Sequence, residues 1–506
     1  MTEVLESLIQ GFGTALTFKN IIAALVGAII GIIVGAIPGL GSVTGVALLL
    51  PLTFNMEPVT GIIMLAGIYY GGMYGGSYSA ILINIPGDSP AVTTALDGYP
   101  MSQKGKAGKA LFTANMSSFI GGTIGIIILT FMGPLLAQIG LAFGPPEIAT
   151  LILLALCSVG WMLGENPRKG VIGTMIGILL ATIGVDMTTG SSRFTFGSPN
   201  LLSGLSFIPL VIGMFGFSQI LEMVTQKLKA DAGELKVTIK ESLLDKNEIK
   251  RTLPVSLRSG FLGNFIGILP GAGATTGSLL SYIFQKRVSK NKDEMGKGSM
   301  EGVSASEAGN NGAAVGAFAP LLSLGIPGSG TAAVLLGGLM MWGLQPGPLL
   351  FEQQPDFVWG LVSSLYIGNI LTVVAALLII PLLMHIIRIP TSIMVPVITV
   401  VCIIGAYSYQ NSMFDVWAMI ITGIIAFFLK SRDYPIAPLL LAFVLTPRLE
   451  EAVFQSFASS GGSASIFFSS PISLLFLLMI VVFIISPVVF NLIKKNNEKK
   501  DDSMVS

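Results

Sequence analysis

Long apolar stretches separated by short polar loops run through most of this chain and predict helices. A helix of about twenty apolar residues spans a ~30 Å hydrocarbon core, and several of these stretches approach that length. The apolar windows lie at 20–37, 40–54, 60–83, 111–140, 147–163, 171–186, 201–224, 255–269, 271–284, 303–325, 357–386, 391–407, 414–429, 435–446 and 471–493. The pattern predicts an all-α polytopic membrane protein.

The composition agrees with this interpretation and excludes the soluble classes. Of 506 residues, 52% are hydrophobic and only 11% are charged, and the mean hydropathy is +0.80. A soluble globular protein carries about 25% charged residues. Cys157 and Cys402 both lie in apolar windows, so we expect no disulfide.

Four Pro-Gly pairs interrupt the apolar windows at related positions. The run IPGLGSVTG begins at Ile37, and LPGAGATTG begins at Leu269 with the same spacing of Pro, Gly and Thr. Each run is followed by a second break, IPGDS from Ile85 and IPGSG from Ile326. Pro removes a backbone donor and Gly tolerates unusual dihedral angles, so each pair is expected to interrupt the helical hydrogen bonds.

The order of windows around these breaks repeats along the chain. The run PLVIGMFGFSQILE from Pro209 also matches PLLLAFVLTPRLEE from Pro438, which extends the repeat to the end of each half. We therefore predict a first membrane repeat at 1–226, a cytoplasmic linker at 227–251, a second repeat at 252–460, and an extra transmembrane helix with a basic cytoplasmic tail at 461–506.

Basic loops predict that the two repeats have opposite orientations in the membrane. The loop at 54–60 has no Lys or Arg, whereas its counterpart at 286–297 has five; the loop at 103–109 has three, whereas 344–357 has none. The positive-inside rule then places corresponding loops on opposite sides. The N-terminus is predicted outside and the C-terminus inside, and Arg193 is a misfit because it falls outside.

Inverted repeats with broken helices at corresponding positions are typical of secondary transporters, whose sites lie near the bilayer midplane. Half-helix N-termini offer N–H donors suited to a carboxylate, and backbone carbonyls freed at the breaks suit a cation such as Na⁺. The expected substrate-binding residues belong to the four breaks or carry hydroxyl groups just after them: Pro38, Gly39, Gly41, Ser42, Thr44, Pro86, Gly87, Pro270, Gly271, Gly273, Thr275, Thr276, Pro327, Gly328, Ser329 and Thr331. The alternative is that each pair only kinks a transmembrane helix.

Acids and amides within the apolar windows form a second set of candidates. Asp88 follows a Pro-Gly pair and Glu307 precedes two asparagines, and a charge at the bilayer centre usually faces a cavity or a partner. We predict that Asp88 and Glu307 are linked to a cation, although Glu307 lies close enough to Lys297 for simple solvation at the inner interface. Asn310 and Asn311 are expected to bind substrate or to connect helices.

A third group of acids, Asp97, Asp186 and Glu222, lies near predicted helix boundaries. We expect these three to be interfacial.

Signals of enzymatic chemistry are weak. No Walker lysine follows the Gly-rich runs, which argues against ATP hydrolysis. The single histidine, His385, lies far from any Ser-Gly motif, so neither a serine nor a zinc protease is indicated. We predict a protein that is not an enzyme and needs no cofactor beyond a coupling ion, Na⁺ or H⁺.

Four long runs carry a resemblance to a known family: GAIPGLGSVTGVALLLPLTF, YYGGMYGGSYSAILINIPGDSPAVTTALDGYPM, GILPGAGATTGSLLSY and SEAGNNGAAVGAFAPLLSLGIPGSGTAAVLLGGLMMWGLQPGPLLF. They resemble the large membrane subunit of the tripartite tricarboxylate transporters over essentially the whole chain. The resemblance implies a bacterial inner-membrane permease that works with a small membrane subunit and a periplasmic solute-binding protein. It also implies cation-driven uptake of citrate-like tri- or dicarboxylates by alternating access. A stand-alone secondary transporter for another small organic anion would show the same repeats and stays open.

Overall fold

The computed structural model describes residues 2–162, 167–186, 189–225, 242–386 and 389–485, and these are mostly helical. The helices of the first half are α1 (Thr2–Ala15), α2 (Phe18–Ala36), α3 (Gly41–Leu49), α4 (Pro58–Ile83), α5 (Ala91–Gln103), α6 (Ala107–Leu141), α7 (Pro145–Met162), α8 (Pro167–Ala181), α9 (Phe207–Val211) and α10 (Ser218–Thr225). A π-helical stretch, Ile212–Phe217, joins α9 to α10, and the strands β1 (Gly184–Val185) and β2 (Ser192–Arg193) form an antiparallel pair.

The second half is helical in the same way. Its helices are α11 (Lys246–Ile268), α12 (Gly273–Val288), α13 (Met300–Gly316), α14 (Phe318–Leu324), α15 (Gly330–Met341), α16 (Leu350–Gln353), α17 (Pro355–Ile386), α18 (Thr391–Gln410), α19 (Met413–Lys430), α20 (Ile436–Ser459), α21 (Ile466–Ser469) and α22 (Pro471–Ile485). Short 3₁₀ turns lie at Leu50–Thr53, Pro199–Leu201 and Lys292–Glu294.

Six helices of the described ranges are long and apolar enough to cross a membrane: Phe18–Ala36, Ala107–Leu141, Phe207–Thr225, Pro355–Ile380, Thr391–Gln410 and Met413–Lys430. Every window predicted from the sequence contains a helix. The predicted class, an all-α polytopic membrane protein, is therefore confirmed. The inversion of the repeats stays a prediction.

Two local differences from the predicted windows have simple causes. The window 303–325 is divided at Ala317, between α13 and α14; Pro320 has no N–H to donate to the carbonyl of Gly316, so α13 cannot continue through it. Within the predicted linker, residues 226–241 lie outside the described ranges. Residues 246–251 already belong to α11, because the Asp245 side chain caps that helix by accepting from the backbone N–H groups of Asn247 and Glu248.

Glycines let the helix that precedes each first break pack closely against the following long helix. On α2, Gly27, Gly31 and Gly35 face α4, and on α11, Gly263 and Gly267 face α13. A Cβ added at Gly31 would lie 2.4 Å from the carbonyl oxygen of Ile68, and one at Gly267 would lie 2.1 Å from that of Ala313. Small residues at this spacing bring transmembrane backbones into contact, and both halves use them at the same place.

Contacts divide the chain into two compact units. The first comprises Met1–Leu141 and Leu205–Arg432, and it contains all four Pro-Gly breaks. Its buried core includes Ile32 of α2, Tyr74 and Tyr78 of α4, Leu111 of α6 and Val303 of α13. The two halves of the sequence are therefore interleaved within one core.

The second unit comprises Ala142–Gly204 and Asp433–Ser506. It contains Arg193, the basic residue that does not fit the predicted orientation. Arg193 ends the β1–β2 pair and makes ion pairs of 2.6 Å with Asp186 and 2.8 Å with Glu450. Two carboxylates neutralise its charge, so Arg193 carries little weight as an orientation signal.

Candidate functional site

The two first breaks have the same backbone conformation. α2 ends at Ala36 and α3 starts at Gly41, just as α11 ends at Ile268 and α12 starts at Gly273. The φ angles are +86° at Gly39 and +78° at Gly271, and those two positions later are +64° at Gly41 and +60° at Gly273. Residues with side chains rarely adopt such angles, so the glycines of both runs are required by the turn itself.

The second breaks also match, although their sequences differ at the turning residue. α4 is followed by Asn84 with φ of +57°, and α14 is followed by Gly325 with φ of +69°. Asn and Gly are the residues that most readily take this left-handed conformation. Each break then leads through Pro-Gly into a new helix, α5 or α15.

Asp88 connects the two breaks of the first half. Its Oδ2 accepts from the backbone N–H of Ser42 at 2.8 Å, and its Oδ1 accepts from the backbone N–H of Ser89 at 2.8 Å. A Cβ at Gly41 would lie 3.2 Å from Oδ1, so the absence of a side chain there leaves space for the carboxylate. Asp88 therefore places its negative charge at the N-terminus of α3, where backbone donors stabilise it.

Ser329 takes the equivalent position in the second half and carries no charge. Its hydroxyl accepts from the backbone N–H of Ala332 at 3.2 Å, which caps α15, and lies 3.3 Å from the hydroxyl of Tyr69. The nearest atom to a Cβ added at Gly273 is the Ser329 Cβ, at 3.5 Å. The two copies thus share a backbone arrangement but differ in charge.

Hydrogen bonds between the halves bring the breaks together. The hydroxyls of Ser42 and Thr331 lie 3.2 Å apart, and both side chains are buried. The Ser278 hydroxyl of α12 donates to the carbonyl of Pro90, which directly precedes α5, at 3.1 Å. Residues from all four breaks therefore meet in one cluster, although they come from distant parts of the sequence.

Several predicted residues lie at the margin of this cluster. Thr44 donates to the carbonyl of Phe215 at 3.4 Å, Thr275 is exposed and Thr276 is half-buried. Gly39 is exposed beside the side chain of Gln219. When the Gln219 amide nitrogen is turned toward Gly39, it donates to the Gly39 carbonyl at 2.9 Å.

Glu307 lies apart from the breaks, in the interior of the first unit. It is 0% exposed, so the alternative that it is solvated at an interface is wrong. Its Oε1 accepts from the Thr94 hydroxyl, and its Oε2 accepts from the Ser118 hydroxyl at 2.9 Å. The proximity of Lys297 in sequence was misleading, because α5 and α6 cover this side of α13.

The two asparagines after Glu307 are buried with incomplete hydrogen bonding. The Asn311 amide nitrogen donates to the carbonyl of Glu307 on its own helix at 3.2 Å, and its oxygen has no partner within the described residues. Neither polar atom of the Asn310 side chain has one there. Buried amides normally find partners, so these atoms are available to a ligand or water and do not serve as the predicted helix cross-links.

A charged network lies at the beginning of α13, outside the apolar spans. Glu301 accepts from Arg251 Nε at 2.6 Å, from Gln285 Nε2 at 2.7 Å and from the Ser289 hydroxyl at 2.5 Å. Burial alone would raise the pKa of Glu301, but these hydrogen bonds, together with one from Asn291, lower its pKa to about 2. Arg251 also borders a cavity of about 560 Å³ whose lining includes Lys104, Lys106, Glu294 and Lys297.

Comparison with known proteins assigns the chain to a family. A model of the tripartite tricarboxylate transporter TctA family matches residues 21–441, a span that contains all four breaks. The chain belongs to this family. The resemblance seen in the four sequence runs is thereby confirmed, and with it a role as the large membrane subunit of a transporter.

Two curated relatives of this TctA chain are both from Agrobacterium vitis. An "uncharacterized 52.8 kDa protein in TAR-I ttuC' 3'region" is 40% identical over 462 residues, which cover 91% of this chain and 92% of the relative. An "uncharacterized protein in TAR-II ttuC' 3'region" is 41% identical over 200 residues, 40% of this chain and 83% of the relative. No solved structure matches the chain.

Sequence reasoning missed the tyrosines of this TctA chain. Tyr69, Tyr70, Tyr74 and Tyr78 are all buried on α4. Tyr70, Tyr74 and Tyr78 follow one another at intervals of four residues, which places them on one face of a helix. This spacing is the sequence signal from which they could have been predicted. Tyr69 contacts Ser329 of the break cluster, while the Tyr78 hydroxyl donates to Asn115 Oδ1 at 3.0 Å deeper in the core.

Proposed function

We propose that this TctA-family protein carries out cation-coupled uptake of carboxylates, such as citrate and other tri- or dicarboxylates, across a bacterial inner membrane. In this proposal it works with a small membrane subunit and a periplasmic solute-binding protein, with its N-terminus outside and its C-terminus in the cytoplasm. The observation that carries the proposal is the convergence of the four Pro-Gly breaks, joined between the halves by the contact of Ser42 with Thr331. Convergent half-helices of this kind form the binding sites of secondary transporters.

The charge distribution suggests which part of the cluster binds the substrate and which part binds the coupling cation. Asp88 already occupies the N-terminus of α3, so a substrate carboxylate placed there would be repelled. The second half offers the N-termini of α12 and α15 with neutral hydroxyl groups, including Ser329 and Thr331. We therefore assign the substrate carboxylates to the second-half breaks, and the side of Asp88 to Na⁺ in the case that Na⁺ is the coupling cation.

The cation is H⁺ or Na⁺ in this proposal, and two kinds of group can bind it. Na⁺ would use the Asp88 carboxylate with backbone carbonyls of the breaks, and H⁺ would use a carboxylate alone. Among the described residues, no group of three or more His, Cys, Asp or Glu side chains gathers to form a site for a metal ion. A Na⁺ site would therefore depend mainly on carbonyl and hydroxyl oxygens.

Alternating access would follow from movement of the break cluster relative to the surrounding helices. The short helices α3 and α15 have 9 and 12 residues, or about 14 and 18 Å at 1.5 Å per residue. Elements of this length are too short to cross the hydrocarbon core alone. They suit hairpins carried by a mobile unit, as in an elevator-like motion, and rocking of one repeat against the other is the alternative.

Uptake by cells that express the chain with its two proposed partners tests the function. Radiolabelled citrate and a panel of other tri- and dicarboxylates would be supplied with the binding protein, with and without an imposed cation gradient. Gly41→Ala should abolish uptake because φ at this position is +64° and the added Cβ would crowd Asp88. Gly368→Ala is the control, since a Cβ there meets no atom within 4 Å.

Two outcomes would count against the proposal. If none of the carboxylates enters wild-type cells, the substrate class is wrong. If uptake is equal without the binding protein and no small subunit co-purifies with the chain, the stand-alone transporter is the better description.

A further inference from the structure

Glu307 is a buried carboxyl group without a basic partner. Its side chain is 0% exposed, and its hydrogen-bond partners are the hydroxyls of Thr94 on α5 and Ser118 on α6. Within the described residues, no Lys, Arg or His forms an ion pair with it; the neighbouring Glu301, by contrast, pairs with Arg251. The carboxyl group that lies deeper in the core is therefore the one that lacks a neutralising cation.

An ionised carboxylate in such surroundings is costly. Removing a charge from water without a partner costs several kcal/mol, and such groups usually become neutral instead. A proton neutralises a carboxylate without additional ligands, whereas a metal cation such as Ca²⁺ or Mg²⁺ needs about six oxygens around it. Among the described residues, no group of three or more His, Cys, Asp or Glu side chains that could hold a metal ion includes Glu307, so the surroundings favour a proton.

The partners of Glu307 can serve both protonation states. A hydroxyl group can donate to a carboxylate and can accept from a carboxylic acid after rotation about its C–O bond. Thr94 also lies within 3.1 Å of the Ser306 hydroxyl, which gives it another hydrogen-bond partner when its role reverses. Thr94 and Ser118 therefore allow Glu307 to gain and lose a proton without leaving a polar atom unpaired.

Other titratable groups around Glu307 are already engaged or neutral. On α4, Tyr74 and Tyr78 lie nearby. On α5 and α12, Asp97 and Tyr282 bond to each other. On the other packed elements, Glu301 of α13 pairs with Arg251 of α11, and Lys109 of α6 pairs with Glu248 of α11. The further basic residues of α11 and α12 are exposed, away from the buried Glu307: Lys246, Lys250, Arg258, Lys286 and Arg287.

α5 provides a route from this carboxyl group to the break cluster. α5 begins at Ala91, directly after the break that contains Asp88, and Thr94 lies in its first turn. A displacement of that break that carries α5 with it would move Thr94 relative to Glu307. Protonation of Glu307 reverses the direction of its hydrogen bond with Thr94. Protonation of Glu307 and displacement of the break are therefore connected through Thr94.

We infer that Glu307 is the proton-carrying group of this transporter: it binds one proton as a carboxylic acid in one orientation and releases it as a carboxylate in the other. This inference rests on the proposed function for its role in transport, but proton binding by Glu307 is measurable without any substrate. In this inference the coupling ion is the H⁺ that binds Glu307, and Asp88 holds the break cluster in place.

Infrared difference spectroscopy on the full chain in lipid vesicles tests the proton site directly. The carboxylic-acid C=O band that appears and disappears as the pH is stepped should be present in the wild type and lost in Glu307→Gln. Ser117→Ala is the matched control, because it removes a neighbouring buried hydroxyl that bonds to Ser304 and not to Glu307; it should keep the band. Ser118→Ala should shift the pH midpoint of the band. The same band in Glu307→Gln would overturn the inference.

Transport separates the inference from the function it rests on. Vesicles that contain the chain with its small membrane subunit, supplied with the binding protein and loaded with unlabelled citrate, should exchange it for radiolabelled citrate in both the wild type and Glu307→Gln. Accumulation driven by a pH gradient should be lost only in the variant. Accumulation driven by a Na⁺ gradient at equal pH, or pH-driven accumulation that survives in Glu307→Gln, would refute the inference. If the wild type moves no carboxylate, the proposed function fails and the infrared measurement still decides the proton site.

A variant that does not fold would leave the infrared result open, so a second substitution is included. Glu307→Asp keeps the carboxyl group but shortens its reach to Thr94 and Ser118. It should retain a carboxylic-acid band with a shifted pH midpoint, and an unshifted band would overturn the inference.

Discussion

The hydroxyl groups of Ser42 and Thr331 lie 3.2 Å apart although 289 positions separate them in the sequence. Ser42 is the second residue of α3, which follows the first break of the first half, and Thr331 is the second residue of α15, which follows the second break of the second half. Ser42 also contacts Asp88 through its backbone N–H. The contact of Ser42 with Thr331 joins the two halves of the chain at the proposed site.

A double-mutant cycle tests whether this contact acts as a unit in transport. Ser42→Ala and Thr331→Val should each lower the initial rate of carboxylate uptake, and the double variant should lose little more than either single variant. Contacting residues typically show interaction energies of about 0.5–3 kcal/mol. Thr399→Val on α18 is the control, since Thr399 donates only to the carbonyl of Val395 on its own helix. Strictly additive losses would mean that the two hydroxyls act independently.

The glycine contacts predict where a single methyl group destabilises the fold. A Cβ at Gly71 would lie 2.2 Å from the Ala28 carbonyl oxygen, and one at Gly263 would lie 2.1 Å from that of Gly309. Because backbone atoms cannot move aside individually, Gly71→Ala and Gly263→Ala should each lower the free energy of unfolding by about 1–3 kcal/mol. Thermal unfolding in detergent measures this. Gly368→Ala should be neutral or slightly stabilising, and equal losses in all three would argue against these helix contacts.

The parts of this structure that the sequence predicted are those set by local chemistry. Pro and Gly act on their own backbone, so the positions of the breaks and the shared conformation of Gly39 and Gly271 follow from the sequence alone. The contact of Asp88 with Ser42 could be predicted only in part. Both residues lie next to breaks in the sequence, but their pairing depends on the path of α4 in three dimensions, which the sequence does not show.

Burial of polar residues could not be predicted in the same way. Asp97 lies near a helix end and was expected to be interfacial. Glu307 was predicted to be linked to a cation, with solvation at the inner interface as the alternative because Lys297 is close in the sequence. Each is 0% exposed because an element from the other half covers it: α5 and α6 cover Glu307, and the 296–299 loop covers Asp97. Burial of this kind depends on how elements of the two halves pack against each other. Local sequence patterns do not predict that packing.

Asp97 holds a loop of the second half through its carboxylate. Oδ1 accepts from the backbone N–H groups of Gly296, Gly298 and Ser299 at 2.7–2.8 Å, and Oδ2 accepts from the Tyr282 hydroxyl at 2.9 Å. Asp97→Asn replaces a carboxyl group that accepts four hydrogen bonds by an amide with one acceptor oxygen, and it should cost about 1.5–3 kcal/mol. Hydrogen exchange at residues 296–299 should accelerate by at least about tenfold, the factor that corresponds to 1.4 kcal/mol.

The matched control for Asp97 is an acid on the surface. Asp356→Asn removes an exposed carboxylate whose hydrogen bond to Gln10 is 3.4 Å long, so exchange at 296–299 should not change. Unchanged exchange in Asp97→Asn as well would show that the loop is held by other contacts.

Glu301 gives the fold a dependence on acidic pH whose sign can be worked out. Its pKa is lowered from 4.5 to about 2, chiefly by hydrogen bonds from Ser289 and Arg251 that outweigh the effect of burial. A carboxyl group with a lowered folded-state pKa stabilises fully above its unfolded pKa, and that stabilisation is lost as pH falls from about 4.5 through about 2. Glu301→Gln should therefore be less stable than the wild type at neutral pH, by about 2 kcal/mol, and the difference should shrink toward pH 2. Thermal unfolding across this pH range measures it, with Glu352→Gln at an exposed position of α16 as the control. A difference that stays constant from neutral pH to pH 2 would show that the loss comes from packing and that Glu301 carries no pH-dependent stability.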